Sequence, residues 1–140
     1  MHPPDDDLEL YTPFHKVWLS AAPRLVMAWR SAESYASIAE LRDEMQLFRN
    51  AMQRLRLQCP RALIDVRDAV GRNDPEFEKI FLPLRDDALR GYERVALLAT
   101  TQAGAMQLER HRGGKDHLAI CQDRQQAIHW LLEPAALRRR

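Results

Sequence analysis

The sequence has few of the features that signal chemistry. Its two cysteines, Cys59 and Cys121, show no Cys-x-x-Cys or Cys/His spacing and read as buried free thiols of a reducing cytoplasm. The five histidines, His2, His15, His111, His117 and His129, are scattered without a His-x-x-x-His pair, so no metal site is predicted. Gly-x-Ser-x-Gly, Walker and Gly-x-Gly-x-x-Gly motifs are absent, and no cofactor is implied. With 21 basic and 20 acidic residues the net charge is +1, which gives no global field for nucleic acid or an anionic membrane. No apolar run approaches membrane-spanning length. The opening MHPPDDD is the acidic opposite of a signal peptide, and a cytoplasmic protein is expected. There is no internal repeat, low-complexity tract or interdomain linker.

What remains is an ordinary globular composition, 46% hydrophobic and 29% charged over 140 residues, enough for one domain with a substantial core. The organising stretch is ALIDVRDAVGRNDPEFEKIF at 62–81. Its apolar start has the length and β-branched character of a buried strand. Asp74 is a suitable N-cap, Pro75 a suitable first helical residue, and Glu76 favours the positive end of the helix dipole. A strand passing through a polar loop into a helix is half of a βαβ unit, and ligands bind α/β sheets at that edge.

Along the chain, residues 1–12 are proline-containing and acidic and are expected to be loosely ordered. Phe14, Lys16 and Trp18 alternate with His15, Val17 and Leu19, and Leu25, Met27 and Trp29 alternate with Val26, Ala28 and Arg30. Two such runs around Ala21-Ala22-Pro23-Arg24 predict a β-hairpin over 13–20 and 24–31. Ser37 and Glu40 form a capping-box pattern ahead of Ile38, Leu41, Met45, Phe48, Met52 and Leu55. That apolar stripe at steps of three and four predicts a helix over 37–58. Further strands are expected near 61–67, 93–99 and 117–121, with helices near 74–90, 101–112 and 123–132. Pro83 is expected to kink or shorten the second helix. Asp123 is expected to cap the last helix, and 133–140 to form a basic tail.

The order β-β-α-β-α-β-α-β-α predicts an α/β fold with a mainly parallel five-stranded sheet, an N-terminal hairpin and four helices. Crossovers advancing in one direction place the helices on one face, leaving the other face uncovered. Phe14, Trp18 and Trp29 are then either core or an apolar patch fit for a homodimer interface.

Four features carry a resemblance: the hairpin, the capped helix at Ser37–Gln58, the segment ALIDVRDAVGRND, and the closing ICQDRQQAIHWL with its Ala127-x-x-Trp130-Leu131 pattern. In this order over 13–132 the chain resembles the STAS-type, SpoIIAA-like domains, which are grouped with the CRAL-TRIO lipid-binding domains. The resemblance implies a non-enzymatic module that binds a protein partner. In the anti-sigma-factor antagonist branch the corresponding loop holds a phosphorylated serine. Here Arg72-Asn73-Asp74 stands in that region, with no Ser or Thr between Gln58 and Ala99, so that switch does not carry over.

The candidate binding residues are Arg67, Asp68, Arg72, Asn73 and Asp74, with Thr100, Thr101 and Gln102 after the next strand. Asp65, Asp68 and Asp74 could serve acid–base work or a metal, but interleaved Arg67 and Arg72 favour local salt bridges. Thr100, Thr101 and Gln102 either cap a helix or hold an anion. The CRAL-TRIO connection implies an apolar ligand, so a carrier of a small apolar or anionic ligand is the second reading, and an enzyme using the Asp-rich loop the third.

Overall fold

A computed structural model describes residues 8–70, 74–101, 105, 106, 109 and 116–134. The sheet begins with an edge strand, β1 (Leu8–Tyr11), and a hairpin of β2 (His15–Ala21) and β3 (Arg24–Arg30). Helix α1 (Ile38–Arg56) leads to β4 (Arg61–Asp65), and α2 (Pro75–Ala88) leads to β5 (Arg94–Leu98). Strand β6 (Leu118–Cys121) and helix α3 (Arg124–Leu131) close the fold. The six strands lie in sequential order, antiparallel from β1 to β3 and parallel from β3 to β6.

The fold is thus a single α/β sheet structure, with six strands where five were expected. The extra one is β1, in the segment expected to be loose. Composition alone did not reveal it, because Leu8–Tyr11 becomes a strand by pairing with β2, Leu8 opposite Trp18 and Tyr11 opposite Lys16. The described residues hold three helices rather than four. The helix expected over 101–112 falls largely outside the described residues, although Ala105, Met106 and Glu109 have helical backbone.

Local signals explain the helices. Ser37 accepts from the Glu40 amide at 3.1 Å, and the Glu40 side chain reaches back to the Ala36 amide at 2.6 Å. One stripe of α1, Leu41, Met45, Phe48, Met52 and Leu55, is buried as the spacing predicts, whereas Ile38, expected at its head, is 39% exposed in the first turn. Helix α2 continues through Pro83, which stands on its exposed side. There the carbonyl that loses its partner can be solvated.

One correction concerns the layers. Helices α1 and α2 cover one face, over Val17, Val26, Ala62, Ile64, Val95 and Leu97. The opposite face is not left bare, because α3 packs across β4, β5 and β6. Its Ala127 and Leu131 close over Leu63, Ala96 and Leu98, and Trp18, Leu25 and Met27 belong to the same cluster. The crossover rule constrains only helices that join parallel strands. A helix after the last strand is free to take the other side.

Candidate functional site

The carboxyl ends of the parallel strands form a rim in which Trp29, Asp65, Leu98 and Cys121 are in register. The chain after β4 turns immediately. The Arg67 amide donates to Asp65 Oδ1 at 3.0 Å, and the Arg67 guanidinium grips both carboxylate oxygens at 3.0 and 2.8 Å. Such bidentate, charge-assisted contacts fix direction as well as distance. Burial acts to raise the Asp65 carboxyl, but the Arg67 bonds outweigh it and hold the group below the usual carboxylate range. An acid held ionised in this way is tuned away from general acid–base work near neutral pH. The expectation of local salt bridging is met at Asp65 and Arg67.

The loop is tied down on both flanks. The Trp29 indole N–H donates to Asp68 Oδ2 at 2.9 Å, and the Thr100 hydroxyl donates to the Arg67 carbonyl at 3.1 Å. The Val66 amide extends the ladder to the Leu98 carbonyl at 3.0 Å. Val70 is left standing out, 66% exposed. At the far end of the loop, Asp74 Oδ1 accepts from the Glu76 and Phe77 amides at 3.1 and 3.4 Å and so caps α2.

Of the predicted binding residues, Arg67, Asp68 and Thr100 are therefore brought together. Asp74 lies at the helix start, and the Thr101 carbonyl accepts from Ala105 N at 2.9 Å. Arg72, Asn73 and Gln102 lie outside the described residues. Among the described residues, no three His, Cys, Asp or Glu side chains converge as a metal would require.

The aromatic candidates divide. Phe14 is 7% exposed and stacks on Tyr35 with centroids 4.6 Å apart, and Trp18 is 4% exposed within the second cluster. Both are core, so the large exposed hairpin patch is not formed. Trp29 alone reaches the rim, half-buried.

Sequence reasoning passed over Lys16 and Tyr11, which extend the rim on the hairpin side. Lys16 Nζ lies 5.0 Å from the Tyr11 ring centroid and 5.3 Å from that of Trp29. The alternating pattern put Lys16 and Trp29 on corresponding faces of neighbouring strands, but nothing in it identified β1 as the next neighbour. On the α1 side of the same edge, Glu44 Oε2 accepts from the Thr12 hydroxyl and contacts His15 Nδ1, both at 2.6 Å. No protein-family model matches the chain, and no curated protein or solved structure matches it either.

Proposed function

We propose that the chain is a non-enzymatic interaction module of SpoIIAA-like type, engaging a protein partner through the carboxyl-end rim of its parallel strands. One observation carries the reading: the rim's acidic groups serve its own shape. Asp65 holds Arg67, Asp68 holds Trp29, and Asp74 caps α2, while Val70 faces outward. A loop stiffened by internal polar contacts and presenting an apolar side chain suits docking better than proton transfer. The SpoIIAA-like part of the reading draws support from the order of hairpin, Ser37-capped helix, strand-to-loop segment and Asp123-capped final helix.

The test is affinity capture from an extract of the source cells with tagged wild type, Val70→Glu and Leu57→Glu. Leu57 is 79% exposed just beyond α1, ahead of the start of β4 and so at the other end of that strand from the rim, and serves as the control. A protein retained by wild type and Leu57→Glu but lost by Val70→Glu is the expected result. Equal retention by all three overturns the rim assignment. A stoichiometric small molecule in native mass spectrometry of the purified protein replaces the module with a carrier.

A further inference from the structure

Two transverse rows of side chains cross the α3 face of the sheet. The lower row, Leu8, Trp18, Met27 and Leu63, is in register across four strands and belongs to the second core cluster. The upper row, one step nearer the rim, is Tyr11, Lys16, Trp29 and Asp65. Helix α3 packs on β4, β5 and β6, and its last turn lies at the opposite end of the sheet. There Arg61 and Arg94, at the starts of β4 and β5, donate to the carbonyls of Leu131 and Trp130. The upper row over β1 to β3 is thus outside its cover. Tyr11 is 69% exposed, and Trp29 and Lys16 are half-buried.

The row has a polarity that bears on its occupant. Neighbouring strands are about 4.8 Å apart, so Lys16 flanks Trp29 on one side by a single strand spacing. Asp68, exposed and hydrogen-bonded to the Trp29 indole, flanks it on the side of β4. Reading across, the surface is aromatic, cation, tryptophan, anion. A twofold axis through Trp29 reverses that order. It sets Lys16 against Asp68 of the other copy, twice, and lays one Trp29 on the other. Among the described residues Lys16 Nζ meets two ring faces and no carboxylate, so its charge is available for such a pairing.

We infer that a second copy of this chain docks on the Tyr11–Lys16–Trp29–Asp68 row, forming an isologous dimer about an axis through Trp29. This deepens the interaction-module reading and rests on it, since Asp68 belongs to both surfaces. Self-complementary charge fixes the register of the pair, and the aromatic rings supply the contact area.

Sedimentation equilibrium at tens of micromolar tests the dimer with wild type, Lys16→Glu, Asp68→Lys and the double variant. Wild type is expected to be dimeric. Each single variant places like charges opposite each other twice and should weaken the dimer by at least roughly tenfold. The double variant restores opposite charges and should recover dimerisation, which excludes misfolding as the cause of the single losses. A monomeric wild type, single variants as dimeric as wild type, or a double variant that stays monomeric each overturn the proposal. If wild type is monomeric while Val70→Glu still loses its captured protein, the dimer alone fails and the module reading stands. If neither effect is seen, both fail.

Discussion

His15 on β2 and Glu44 on α1 meet through a 2.6 Å contact between Nδ1 and Oε2, with each residue only 5% exposed. The same oxygen accepts from the Thr12 hydroxyl, and Phe48 stacks on the imidazole with centroids 4.4 Å apart. The contact joins the hairpin to the longest helix at the rim end of the fold. A buried polar network holds well only while each member keeps its partner.

The pair makes stability depend on pH in a defined direction. Burial lowers the His15 pKa below 6.5, Arg30 on β3 pushes the same way, and Glu44 opposes both without reversing them. Between the native value and 6.5 the unfolded chain binds a proton that the folded chain does not. Stability from this group is therefore complete above about 6.5 and declines as pH falls through that window. Asp65 acts lower: its native carboxyl is held below 3.8, so its contribution is present above that value and lost on further acidification. Thermal melts from pH 8 downward should show wild type losing Tm below about 6.5, with His15→Gln flatter over that interval. Parallel curves for the two proteins would remove His15 as the cause.

Helix α3 depends on two arginines distant from it in sequence. Arg61 Nη1 donates to the carbonyls of Leu131 and Glu133 at 2.5 and 2.6 Å, and Arg94 Nη1 donates to that of Trp130 at 2.6 Å. The Trp130 and Leu131 carbonyls lie in the last turn, at the negative end of the helix dipole, where helical donors run out; the Glu133 amide also reaches the Trp130 carbonyl at 3.3 Å. Arg94 also lies over the Trp130 ring at 5.3 Å. Replacing either arginine with Met keeps much of the apolar stem and removes the donors. Each change is expected to cost about 1–2 kcal/mol and to speed amide exchange in α3 more than in α1. Uniform acceleration across the protein would mean that the arginines support the whole fold rather than this helix.

The parts of the fold legible in the sequence are those set by neighbours in the chain. Ser37 and Glu40 announced α1, and the stripe from Leu41 to Leu55 gave its buried side. Asp74 with Pro75 announced α2. Glu44 was not legible, because its burial depends on His15, 29 positions earlier. Strand β1 depends on β2 in the same way. The rim is partly legible: the alternation of strands and helices predicts adjacent parallel strands, whose ends bring Arg67 and Thr100 together. The Trp29 to Asp68 bond spans 39 positions and follows from strand register, which the proline-containing turn did not specify.

Asp74 tests whether the end of the rim loop is only scaffold. Its carboxylate accepts from the amides of Glu76 and Phe77, two of the first N–H groups of α2, which no helical carbonyl can reach. Its extended backbone, with φ at −111° and ψ at 105°, is the conformation of an N-cap. Asp74→Ala is expected to lower stability by about 1 kcal/mol, measured by urea unfolding with an unchanged slope. Amide exchange should rise in the first turn of α2 and stay unchanged in α1 and β4. Whatever protein the rim binds should still be captured, because Val70 and the contacts of Arg67 and Asp68 lie on the other limb of the loop. If Asp74→Ala unfolds at the same urea concentration as wild type yet loses its partner, Asp74 belongs to the docking surface and the cap is incidental.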